Sequence, residues 1–190
     1  MSPPHGVPPT SGPEALMRLP ARAGRGLVHV IIDTPRGSSQ KYKYDPELRG
    51  FKLSRMLPLG MHFPFDFGSI PGTRAADGDA LDVILISEHA SFVGCLFKAR
   101  LIGVLEAEQR EGGRRLRNDR LLAVPTSPVN APLWRHVREL PRRMLDELEQ
   151  FFVSYNRVHG REFEPLGRGS PAAAERLLNA AAKLFQHESS

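Results

Sequence analysis

Apolar positions follow two periods along this chain, close to two up to about residue 124 and close to 3.6 from about residue 140. Residues 28–32, Val-His-Val-Ile-Ile, predict a first strand, closed by Asp33-Thr34-Pro35 and the turn Arg36-Gly37-Ser38. Lys41-Tyr42-Lys43-Tyr44 alternates basic and aromatic residues, which sets both lysines on one face of a strand and both tyrosines on the other. Asp45-Pro46-Glu47 and Gly50 supply a turn before a second arm at 51–56, so the pair predicts a β-hairpin with a basic face. Residues 61–68 place aromatics at alternate positions, but Pro64 and Gly68 argue against a regular central strand. That segment is expected either to line a cavity in extended form or to pack its three phenylalanines in the core. A buried strand is predicted at 81–86, and a long hairpin from 94–107 and 115–124 about the turn Glu111-Gly112-Gly113.

Beyond a loop at 126–132 the period changes. Leu140, Met144, Leu145, Leu148, Phe151, Phe152 and Tyr155 make one helical face that Gly160 stops. A second helix is predicted from a Ser170 cap and Pro171 through Leu177, Leu178, Ala181 and Leu184. Five or more short strands followed by two helices predict an α+β fold, in which a small closed or nearly closed β-barrel buries the strands. Residues 1–25 carry six prolines among small and polar residues and no sustained period, which predicts a disordered or loosely attached arm before a single domain at 26–190.

Composition narrows the class. One domain of 190 residues is long enough to bury about 70% of its unfolded surface. No apolar run reaches the roughly eighteen residues that span a bilayer, and the N-terminus lacks an apolar signal core, so no membrane association and a cytoplasmic setting are expected. The single cysteine, Cys95, excludes an internal disulfide and suits a reducing compartment. A net charge of +5 suits a nucleic acid or a small anionic substrate. The basic residues are scattered beside acids, as in Arg142-Arg143 near Asp146-Glu147, so no nucleic-acid partner is expected.

The chemistry concentrates in Asp77-Gly78-Asp79-Ala80-Leu81-Asp82, where three carboxylates sit on a turn that enters the apolar run Val83-Ile84-Leu85-Ile86. Two carboxylates about 4 Å apart repel by roughly 4 kcal/mol at an effective dielectric near 20, so three at a strand mouth call for cations. Hard divalent ions fit best, Mg²⁺ or Ca²⁺, because they take oxygen ligands and no thiolate or paired-histidine site is present. A solvated acidic turn is the plain alternative. An EF-hand fits poorly, since its ladder of acids and closing glutamate are missing.

Ile31-Ile32-Asp33-Thr34-Pro35, the Lys41-Tyr42 pair, Arg55, the acidic turn, Gly103-Val104-Leu105, Leu122-Ala123-Val124-Pro125 and Phe151-Phe152-Val153-Ser154-Tyr155 occur in the order found in soluble family I inorganic pyrophosphatases. Between about residues 27 and 165 the chain resembles that family, with Ala80 where the acidic signature has proline. The resemblance implies an OB-like β-barrel with flanking helices that binds several Mg²⁺ ions, or Mn²⁺, and hydrolyses pyrophosphate to two phosphates. It further implies Asp77 and Asp82 as metal ligands, Asp79 as general base or ligand toward the attacking water, and Asp33 as an outer metal ligand. Lys41, Arg55 and Tyr155 match groups that grip phosphate oxygens. A homo-oligomer, often a hexamer, is implied by the resemblance alone.

Several positions depart from the pattern. Lys43 stands where the family has an acid, and Asn118, followed by Asp119, where it has an aspartate. Arg120 and Asn156 replace lysines, and Phe63 and Phe67 replace tyrosines. An expected acid falls near Gln109, leaving Glu106, Glu108 or Glu111 as substitutes. Asn118 could still offer a carbonyl oxygen to a hard cation, while Asp119 would need a bulge to face the site. Lys43 and Arg120 are expected to replace part of the charge of a substrate-borne metal. Two other functions remain open on the sequence: hydrolysis of a different phosphoanhydride such as a nucleotide or short polyphosphate, and a degenerate member serving as a binding or assembly protein.

Overall fold

The computed structural model describes residues 12–126 and 133–188. Among these residues the strands run in the order β1 (Arg22–Gly24), β2 (Leu27–Thr34), β3 (Gln40–Asp45), β4 (Gly50–Met56), β5 (Asp66–Ile70), β6 (Leu81–Leu85), β7 (Leu96–Glu111), β8 (Arg114–Arg117), β9 (Arg120–Pro125) and β10 (Glu162–Gly169). Helices are α1 (Pro13–Met17), α2 (Arg142–Val158) and α3 (Pro171–Glu188). Strands β2, β5, β6, β9 and β7 pair in that order, and a β2–β7 pairing closes them into a ring of five. One pair in the ring, β6–β9, is parallel, and the rest are antiparallel. The hairpin β3–β4 forms a separate two-stranded sheet beside the ring.

β6 reads as a continuous apolar run because both of its faces are covered. Val83 and Leu85 pack with Val28, Val30, Leu121 and the α3 residues Ala174, Leu178 and Ala181. Ile84 and Ile86 pack with Leu122, Val124 and the α2 residues Leu145, Leu148 and Phe152. The helical period seen in the sequence thus supplies one cover for each side of the strands.

Four sequence expectations change. The segment expected to avoid a central strand contains β5, paired to β2 and β6. Gly68 is what permits it, since a Cβ there would lie 2.1 Å from the Ile31 carbonyl oxygen. The second arm expected at 115–124 is split into β8 and β9 at Asn118 and Asp119. There the Asp119 carboxylate accepts from Ala107 N at 2.9 Å, so a side chain takes the place of a ladder carbonyl. β10 was not foreseen, because Pro165 and Gly167 interrupt its pattern at a register shift against β7. Within the expected proline-rich arm, the described residues form α1 and β1, the latter paired to β2. Residues 1–11, and 127–132 of the expected loop, lie outside the described residues.

Candidate active site

Register builds the site. Ser69 on β5 pairs with Asp82 on β6, and β6 runs parallel to β9 with Val83 opposite Leu121, which brings Arg120 beside Asp82. On β2 the register shifts between Ile32 and Thr34, so Asp33 sits at a bulge, the device that re-aims a side chain. Asp33, Ser69, Asp82 and Arg120 therefore form a row across four neighbouring strands.

The acidic loop is fixed from within. Gly78 takes φ +86°, which a side chain would strain. Asp77 accepts from Asp79 N at 3.1 Å, an Asx turn. Thr73 donates to the Ile70 carbonyl at 2.5 Å and accepts from Leu81 N at 3.0 Å. Arg74 N donates to the Ala181 carbonyl at 3.0 Å, which pins the loop to α3.

All ten side chains named from the sequence line one cavity of about 540 Å³: Asp33, Lys41, Lys43, Arg55, Asp77, Asp79, Asp82, Asn118, Arg120 and Tyr155. Its volume lies in the range of about 300–1,000 Å³ usual for small-ligand sites. The hairpin β3–β4 contributes Lys41, Lys43 and Arg55; α2 contributes Tyr155; β8, β9 and their junction contribute Asn118 and Arg120.

Two of the acids are held by cations of the chain itself. Lys43 Nζ meets the Asp79 carboxylate oxygens at 2.7 and 2.6 Å. Arg120 pairs with Asp82 and is buried among aromatic rings, its guanidinium 5.7 Å from the centre of Phe67, 5.6 Å from Phe152 and 5.8 Å from Phe163. Among the described residues, the Asp33 carboxylate takes a 3.4 Å hydrogen bond from Ser69. Burial, reinforced by the Asp82 charge and opposed by Lys41, pushes its pKa up to about 8. Lys41 lies 5.0 Å from the Phe67 ring centre and 5.6 Å from that of Tyr155. Burial pulls its ammonium pKa below the usual range, against the attraction of Asp82.

Among the described residues, three buried donors in the wall make no well-formed hydrogen bond, Arg55 Nη1, Arg120 Nε and the Tyr155 hydroxyl, the Arg55 guanidinium and the Tyr155 hydroxyl lying against each other. Burial raises the Tyr155 pKa, with the Arg55 charge and its contact to the hydroxyl pulling the other way, so the hydroxyl keeps its proton at neutral pH. An unpaired buried donor costs about 1–3 kcal/mol, and three around one cavity point to an anion rich in oxygen acceptors.

The donor set around the cavity, four carboxylates and no thiolate, suits a hard cation. As they stand, no three acidic, histidine or cysteine side chains among the described residues gather around one point closely enough to hold an ion. Asp79 and Asp82 would have to loosen their grip on Lys43 and Arg120 first. Asn118 Oδ1 accepts from Arg120 and its Nδ2 donates to Gln109 at 2.7 Å, so its carbonyl oxygen is engaged. Asp119 bonds Ala107 N and Arg117 and does not line the cavity; nor do Glu106, Glu108 and Glu111. Glu108 pairs with Arg115 and Glu111 with Arg161, so the missing acid near Gln109 has no substitute.

The sequence reading missed Ser69, which was open to discovery through the period of two from Phe67. His159, outside the cavity lining, packs edge-on to Tyr155 one helical turn earlier, with ring centres 5.0 Å apart.

Comparison with known proteins places this geometry among relatives. The family model of inorganic pyrophosphatase matches residues 30–186. The inorganic pyrophosphatase of Synechocystis sp. is 38% identical over 152 residues, covering 80% of this chain and 88% of the relative. That of Nostoc sp. is 35% identical, covering 90% and 99%. The crystal structure of inorganic pyrophosphatase from Thermus thermophilus superposes with a TM-score of 0.82 at 28% identity, covering 90% of this chain and 98% of that one.

Proposed function

The chain belongs to the family I inorganic pyrophosphatases, and on that premise we propose that the cavity binds pyrophosphate with divalent metal and hydrolyses it to two phosphates. One observation carries the reading: three buried donors that make no well-formed hydrogen bond among the described residues, Arg55 Nη1, Arg120 Nε and the Tyr155 hydroxyl, share a cavity with four aspartates.

In this reading Asp77, Asp79, Asp82 and Asp33 hold the ions, which are Mg²⁺ with Mn²⁺ able to substitute; Asn118 joins them only if Arg120 releases its carbonyl oxygen. When bound, such ions neutralise phosphate charge and lower the pKa of the attacking water. Arg55 grips the substrate with a planar fork suited to phosphate oxygens. Tyr155 donates its hydroxyl to a phosphate oxygen from the aromatic wall. Lys41, beside Phe67 and Tyr155, presents its ammonium to the anhydride, whose negative charge favours the protonated form in this low-dielectric wall. Asp79 accepts the proton of the attacking water, the role that a carboxylate freed from Lys43 can fill. The step adds one water across the P–O–P bridge, and the bridging oxygen leaves with one phosphate.

A homo-oligomer, a hexamer by resemblance, and a cytoplasmic setting belong to the same reading; no helix among the described residues is long and apolar enough to cross a membrane. Incubation with pyrophosphate and Mg²⁺, followed by ³¹P NMR, tests the reading. A single inorganic phosphate signal growing at the expense of pyrophosphate is expected, and persistence of pyrophosphate would refute it.

A further inference from the structure

Lys43 and Asp79 come from parts of the chain with no shared sheet: β3 of the side hairpin, and the loop between β5 and β6. Even so, the ammonium sits evenly across the carboxylate, at 2.7 and 2.6 Å from its two oxygens. Asp79 is the middle acid of the loop, and its backbone is already fixed by the Asp77 Asx turn and by Ala75 N donating to the Asp79 carbonyl at 2.7 Å. The carboxylate therefore has little freedom to serve a second cation while Lys43 stays. Both side chains are half exposed, 50% and 51%. An ion pair in that setting contributes about 1 kcal/mol or less, so it is displaceable.

We propose that Lys43 is a tethered counter-cation that competes with divalent metal for Asp79, and that loading the metal site requires Lys43 to leave this carboxylate. The inference rests on the reading of the aspartates as metal ligands. Two of the three acids at the strand mouth are paired with cations of the chain: Arg120 with Asp82 and Lys43 with Asp79. The consequence is a metal affinity held down by the chain's own charge. Once released, the Lys43 ammonium remains on the cavity wall, where its long stem can turn toward an anionic substrate.

The test is calorimetric titration of Mn²⁺ into the substrate-free protein, for the wild type, Lys43→Met and Lys43→Arg. Lys43→Met is expected to bind the metal up to about fivefold more tightly, which is what loss of a competing exposed ion pair of about 1 kcal/mol is worth. Lys43→Arg, which keeps the charge, is expected to stay near the wild type. The advantage of Lys43→Met should shrink at about 1 M salt, where the Debye length is about 3 Å. Equal affinity of Lys43→Met and wild type overturns the role of Lys43 while leaving the metal site standing. Absence of binding by all three at millimolar Mn²⁺ overturns the metal-site reading itself. Circular dichroism of each variant verifies that the half-exposed substitution leaves the fold intact.

Discussion

Arg120 pairs with Asp82 across the only parallel junction of the ring, β6 against β9, and does so from a seat among Phe67, Phe152 and Phe163. The charge is buried with the Asp82 carboxylate, the Asn118 amide oxygen and, at 3.5 Å, the Asp119 carbonyl as polar partners. Removing one partner leaves the other charge poorly solvated, which costs 3–5 kcal/mol in a fully buried pair. Asp82 keeps 26% exposure, so water recovers part of that loss.

Arg120→Met is therefore expected to lower stability by about 2 kcal/mol in urea denaturation of the chelated protein. Combining it with Asp82→Asn should cost less than the sum of the two single changes, because the double variant has no stranded charge. Strict additivity in that cycle would show that the pair is not coupled.

Asp33 is costly to bury. It is buried with one long hydrogen bond, so Asp33→Asn should stabilise the metal-free protein by about 1–2 kcal/mol. The same change should weaken metal binding in calorimetry. A destabilised Asp33→Asn would mean that the carboxylate is better satisfied than its surroundings indicate.

Tyr155→Phe removes a buried hydroxyl that makes no well-formed hydrogen bond among the described residues and meets only the Arg55 guanidinium loosely. Thermal stability should stay level or rise, while kcat/KM for pyrophosphate should fall by about 10- to 100-fold, the range for a lost hydrogen bond to a charged group. Unchanged kcat/KM would remove Tyr155 from the substrate-binding set.

His159 supplies a pH dependence of opposite sign to an ordinary salt-bridged histidine. Burial, with Arg55, Arg161 and Lys41 nearby, depresses its folded pKa below the unfolded value of about 6.5. As pH falls through that value the unfolded chain takes up a proton that the folded chain refuses, so stability drops. His159→Phe is expected to lessen the loss of stability between pH 7 and pH 5 in denaturant titrations. An identical pH profile for the variant would contradict the environment assigned to His159.

The acidic loop was legible because its chemistry is local: a glycine at positive φ, three aspartates and an apolar strand are all contiguous. The helices were legible because their apolar period matches the face they bury. Contacts between distant segments were not. Lys43 and Asp79 are 36 residues apart on elements that share no ladder, so nothing in either segment announces their pairing. Nor could the pattern tell that Gly68 marks a close approach of β5 to β2 rather than a broken strand. Asn118 and Asp119 show the same limit, since only the split of β8 from β9 decides that Asn118 faces the cavity and Asp119 the backbone of Ala107.

The most direct measurement of the central claim is phosphate release from pyrophosphate with Mg²⁺ and with Mn²⁺, run beside nucleoside triphosphates and tripolyphosphate, with Asp79→Asn as the blank. Metal-dependent release from pyrophosphate, well above that from the longer anhydrides and lowered at least about 100-fold by Asp79→Asn, is the predicted result. Release that survives Asp79→Asn, or that favours a triphosphate over pyrophosphate, would contradict it.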